Sequence, residues 1–148
     1  MIPDFDSDGN LPPGIHWATW KEFDDHFGTT AHRRRLLGGL RLALNVLQSV
    51  GCTTVYIDGS FVTSKQAPND FDACWDTEGV DIDLLFKVEP FLLIFPEGRI
   101  IQKAKYFGEF FPTDSIEGGS GRTFLNFFQI DKETGYQKGI IGLDLRRF

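Results

Sequence analysis

The chain has 148 residues, 41% of them hydrophobic, with fifteen Phe and three Trp, and a formal charge of −6. That is the length of one domain with apolar mass enough for a core, which excludes a disordered or low-complexity chain, and the acidic balance argues against a dedicated DNA-binding domain, which would carry a basic face. No apolar run approaches the ~20 residues of a membrane helix, and "MIPDFDSDGN" lacks the basic-then-apolar order of a secretory leader, so the expectation is a cytosolic, non-membrane protein whose two cysteines, Cys52 and Cys74, are reduced and buried.

In chain order, residues 1–16 contain Pro3, Pro12 and Pro13 and read as an extended, turn-rich segment. Trp17, Trp20, Phe23 and Phe27 fall at helical spacing, which predicts a short amphipathic helix over 17–27. Gly28 ends it, and Thr29 or Thr30 caps a longer helix over 31–50, whose leucines recur every three or four residues until Gly51. "CTTVYID" (52–58) is β-rich. "DFDACWD" (70–76) alternates, so that Asp70, Asp72, Cys74 and Asp76 share one face of a strand and Phe71, Ala73 and Trp75 the other. Pro90 and Pro96 break the apolar region 81–96, in which "IDLLFKV" predicts a helix. Residues 97–111 fit either a helix or a strand, 117–122 a mobile loop, "TFLNFFQI" a short helix or strand, and "KGIIGLDLRR" (138–147) a terminal strand. The pattern is a single α/β (α+β) domain spanning 1–148. The run His32–Arg35 and the later Lys103, Lys105, Arg122 and Lys138 read first as solvated faces.

Asp58-Gly59 between two β-like runs is a strong hairpin signal. The other reading makes Gly59-Ser60 a strand-to-helix turn, in which the glycine lets the backbone approach a phosphate and the Ser60 hydroxyl donates to it. Spacing favours the second. Nine residues separate Ser60 from Asp70-Phe71-Asp72, and two carboxylates on one strand face can share Mg²⁺ or Mn²⁺, oxygen-seeking ions that assist phosphoryl and nucleotidyl transfer. A third acid is then needed. Asp144, inside the apolar "IIGLDLRR", is the leading choice and Asp131 the fallback. Lys65, following the turn, is placed to touch a triphosphate, with Lys103 and Lys105 as weaker candidates. The calcium-like start Asp4, Asp6, Asp8, Gly9 lacks the closing Glu, which leaves an Asp-Gly turn. His16, His26 and His32 are too scattered for zinc.

Gly-Ser followed by Asp-x-Asp resembles the signature of the polymerase-β-like nucleotidyltransferase superfamily. "LPPGIHWATWKEF", "HRRRLL", "YIDGSFVTSK", "DFDACWD", "FFQIDKETG" and "KGIIGLDL" together are similar to a family of short bacterial and phage nucleotidyltransferase-like proteins. The resemblance spans nearly the whole chain. It implies a minimal nucleotidyltransferase fold, a small mixed sheet with helices on one side. It also implies Mg²⁺ on Asp70, Asp72 and Asp144, a nucleoside triphosphate on Gly59, Ser60 and Lys65, and transfer of a nucleoside monophosphate to a hydroxyl of a protein, an RNA end or a small molecule. The alternative is a catalytically silent partner-binding protein, such as the antitoxin of a toxin–antitoxin pair. Larger superfamily members carry a nucleobase-binding second domain that has no counterpart among these residues.

Overall fold

The computed structural model describes residues 1–93 and 97–148; the break expected at Pro96 lies outside them. The first turn is built on Asp6, whose carboxylate accepts the backbone N–H groups of Asp8 (2.9 Å) and Asn10 (3.0 Å). That is the local bonding which makes Asp a turn residue. Strand β1 follows at Gly14–Ala18. Trp17 therefore lies on a strand, and the helix expected from residue 17 begins only at Trp20 (α1, Trp20–Phe27), where the Thr19 hydroxyl accepts the Glu22 N–H at 3.1 Å. A good cap and a partner strand from the distant end of the chain override the helical spacing of Trp17.

Helix α2 (Ala31–Ser49) is capped by Thr30. It buries Leu36, Leu37, Leu40, Ala43, Leu44 and Leu47; each such leucine contributes roughly 1.5–3 kcal/mol relative to exposure. Strands β2 (Thr54–Asp58) and β3 (Phe71–Trp75) pair antiparallel. Helix α3 (Ile82–Val88), helix α4 (Glu97–Tyr106), strand β4 (Gly108–Pro112), helix α5 (Phe124–Phe128) and strand β5 (Gly139–Asp144) complete the order. The ambiguous stretch 97–111 is thus both a helix and a strand, divided where Phe107 takes a left-handed φ of 65°.

The five strands form one mixed sheet in the order β1-β5-β2-β3-β4, with β1–β5 and β3–β4 parallel. Phe71, Ala73 and Trp75 enter the core beneath α1, α2, α3 and α4. Cys74 points to the opposite face, where Phe111, Phe128 and Ile140 form a second, smaller cluster under α5. The period-two expectation for β3 holds, but helices cover both faces rather than one. Among the described residues, no helix is long and apolar enough to cross a membrane.

Candidate active site

Strand β2 ends at Asp58, and Ser60–Val62 turns in a 3-10 conformation. Gly59 joins them with φ 87° and ψ −174°, a backbone state closed to other residues. The space is tight as well: a Cβ there would stand 3.1 Å from Asp72 Oδ2 and 3.2 Å from the Asp72 backbone N, so Asp72 would have to give way. The tight hairpin is absent: the partner of β2 is β3, with Asp58 opposite Asp72. The loop between them is held from beneath by Arg33. Its guanidinium donates to the carbonyls of Phe27 (3.4 Å), Phe61 (2.6 Å), Thr63 (3.1 Å) and Lys65. The His32 ring donates to the Pro68 carbonyl at 2.5 Å. The basic run read as a solvated face therefore includes a buried clamp on this loop.

Register sets a row of acids across adjacent strands. Asp58 faces Asp72 on β3, and Asp72 faces Glu109 on β4. Side chains directly opposite share one face of a sheet, and Asp70 immediately precedes β3. Gly108 fixes the β4 register by close packing: a Cβ there would meet the Phe71 ring at 2.4 Å. A one-residue slip would turn Glu109 to the other face.

Cations face this row. Lys103 Nζ lies 2.9 Å from Glu109 and 3.4 Å from Asp70, so one ammonium bridges two carboxylates. Arg99 approaches Glu109 at 3.6 Å. Lys138 pairs with buried Asp58 at 3.0 Å. Burial pushes the Asp58 carboxyl up, and Lys138 offsets only part of that rise. Asp72 is pushed up to about 7, first by burial and then by the charges of Asp58, Asp70 and Glu109. Among the described residues, no group of three or more His, Cys, Asp or Glu side chains is set as a ready-made ion cage.

Two hollows meet at this row. One, of about 400 Å³, contains Asp58, Gly59, Ser60, Thr63, Lys132 and Lys138. The other, of about 710 Å³, runs from Asp70 and Glu109 to a wall that includes Phe111, Phe124 and Phe127. Asp72 and Lys132 border both.

The structure brings Asp70, Asp72, Gly59 and Ser60 together and leaves two expected residues apart. Asp144 pairs with Thr54, four residues from Asp58 along β2, or about 13 Å at the usual strand rise. It caps the C-terminal turn and binds Arg146 at 3.0 Å, which holds its carboxyl below the usual range. Asp144 cannot reach the carboxylate row because β5 lies against β2 with its end at the opposite rim of the sheet. Lys65 is exposed and borders neither hollow; its backbone is what Arg33 binds. Asp131 lies nearer than Asp144, on the rim of the smaller hollow, accepting the Asn10 amide at 2.9 Å. Lys103 is in the cleft, whereas Lys105 binds buried Glu89 elsewhere.

Sequence reasoning missed Glu109, Lys132 and Lys138 as site residues. The available signal for Glu109 was "EF" within "FGEFF", an acid directly before a core phenylalanine, as Asp70 stands before Phe71. No curated protein and no solved structure matches the chain. A family model does match residues 3–144, and on that extent the chain belongs to DUF6932, a family of unknown function.

Proposed function

We propose that the protein is a metal-dependent nucleotidyltransferase that takes a nucleoside triphosphate and delivers its nucleoside monophosphate to a hydroxyl acceptor on a protein, an RNA or a small molecule. The observation that carries this reading is the acid row beside the Gly59-Ser60 turn, with Glu109 in place of Asp144 as the third carboxylate. The donor set suits Mg²⁺ or Mn²⁺, since Asp70, Asp72 and Glu109 offer only oxygen. The Lys103 ammonium bridging Asp70 and Glu109 marks a position where a cation is already favoured. A divalent ion held there would supply the charge that activates the acceptor hydroxyl and steadies the leaving pyrophosphate. Gly59 lets the backbone approach the phosphates, and Ser60 can donate its hydroxyl to them. Lys132 and Lys138 lend positive charge to the same hollow. Lys103, once displaced from the acids, is placed to pair with phosphate oxygens beside the bound ion.

A second reading is a catalytically silent partner-binding protein. The observations that favour it are the cations already paired with Asp58, Asp70 and Glu109 and the apolar side chains left exposed on α3 and α4, Ile82, Phe86, Val88 and Ile100.

Calorimetry with the four common nucleoside triphosphates and Mn²⁺ separates the two, alongside pyrophosphate release with hydroxyl acceptors. Asp70→Asn and Glu109→Gln are each expected to lower pyrophosphate release about a thousandfold, because the uncharged amide no longer holds the ion. Asp144→Asn is expected to leave release unchanged, and Lys65→Ala nearly so. Absence of binding by all four triphosphates would favour the silent protein. Loss of activity on Asp144→Asn with Glu109→Gln silent would overturn the assignment of the third acid.

A further inference from the structure

We infer that the aromatic wall of the larger hollow, formed by Phe111, Phe124 and Phe127, is a stacking site for the nucleobase of the triphosphate whose phosphates lie over Gly59 and Ser60. The inference rests on the nucleotide-transfer reading and adds to it the base-recognition element that reading lacked.

The wall is built by the segment after β4. Phe111 and Phe124 stack with ring centroids 4.1 Å apart and planes 10° from parallel. Phe128 locks the pair edge-on from beneath, at 6.2 Å from Phe111 and 6.0 Å from Phe124. Phe124 and Phe127 are only partly buried. A third flat ring added to this arrangement would extend an existing stack, and a π-face accepts any base.

The two ends of the site differ in the way a nucleotide does. At the aromatic end, Arg99 lies over Phe111 at 5.9 Å and Lys132 over Phe127 at 5.7 Å. At the other end are Gly59, Ser60 and Lys138. Asp72 and Lys132 border both hollows, so a ligand spanning them passes the carboxylates midway. A molecule that is planar at one end and polyanionic at the other matches this order; a purely aliphatic group would leave the cations unmatched. The rim adds an acceptor, Glu117, whose carboxylate is pinned by the Gly119 N–H (2.6 Å) and the Ser120 N–H (2.9 Å). Those backbone bonds hold its carboxyl below the usual range.

The experiment compares calorimetric binding of the four nucleoside triphosphates with that of their nucleosides and of inorganic tripolyphosphate, all with Mn²⁺, in the wild type and in Phe124→Leu. Phe124→Leu keeps apolar bulk and loses the ring face. Its thermal melt and its tripolyphosphate affinity serve as controls for folding. The best triphosphate is expected to bind the wild type at least tenfold more tightly than tripolyphosphate, and Phe124→Leu is expected to erase most of that difference. Equal binding of tripolyphosphate and all four triphosphates, or a Phe124→Leu variant indistinguishable from wild type, would overturn the base site and leave the metal–phosphate reading standing. Nucleosides that bind through Phe124 while neither triphosphate nor tripolyphosphate binds would keep the aromatic site and remove the transfer reading. No binding by any of these would remove both.

Discussion

Asp72→Asn is expected to make the metal-free protein more stable at pH 8 and to abolish its response to divalent ions. Asp72 titrates near 7 in the fold, against 3.8 when unperturbed, because burial and the charges of Asp58, Asp70 and Glu109 disfavour the anion. The folded state therefore holds this proton more tightly than the unfolded chain does. Stability from this group is fully present below pH 3.8 and is lost as the pH rises through about 7. At 1.36 kcal/mol per pH unit the loss approaches about 4 kcal/mol. Water reaching the cleft edge and the polar amide of the replacement reduce the net gain to about 2 kcal/mol, or about 4–8 °C in Tm. The variant should also lose the wild type's decline in stability between pH 4 and 7. Millimolar Mg²⁺ or Mn²⁺ should raise the wild-type melt and leave the variant's unchanged. Thermal melts across that pH range decide the matter: a variant that melts no higher than wild type at pH 8 would show that the acids do not strain one another.

The largest loss of stability is expected at a residue that touches neither hollow. Arg33→Met should cost about 3–5 kcal/mol, since it removes the donor shared by four carbonyls around the loop that follows Gly59. Arg33→Lys should recover only part of that, because an ammonium lacks the planar fork that reaches Phe61 and Thr63 at once. The checks are the urea midpoint and trypsin cleavage after Lys65, which should accelerate as the loop loosens. A midpoint within about 1 kcal/mol of wild type would mean that the loop holds itself.

The contrast between Arg33 and Asp144 shows what the sequence could disclose. Alternation in "DFDACWD" placed Asp70 and Asp72 on the face opposite Phe71 because a strand's period is a local property. The Thr30 cap and the apolar spacing of α2 were legible for the same reason. Glu109 was hidden because residues 97–111 satisfy helix and strand patterns in turn, and the change between them depends on Gly108 fitting against the ring of Phe71. Asp144 looked like a ligand because it is an acid in an apolar strand. Its position depends on which strand lies beside β5 and in which direction, and neither fact is written in its neighbours. Arg33 sits among charged residues, and only the folded loop shows that it faces inward.

The sheet order also bears on how the molecule assembles. β5 lies between β1 and β2, so its contacts join the two ends of the described chain. Contacts that distant form slowly, because a long loop must close before they repay its entropy. The β2–β3–β4 portion, which carries Asp58, Asp72 and Glu109, is closer in sequence and can pair before residues 139–144 have left the ribosome. Until then Asp58 has an open flank, because Lys138, its ionic partner, is the residue just before β5. The strand that closes the sheet thus brings with it the ammonium that quiets the acid row. A nascent chain stalled before residue 138 would lack both the strand that joins β1 to the sheet and that ammonium, so its acid row would stay uncompensated until the sheet closed.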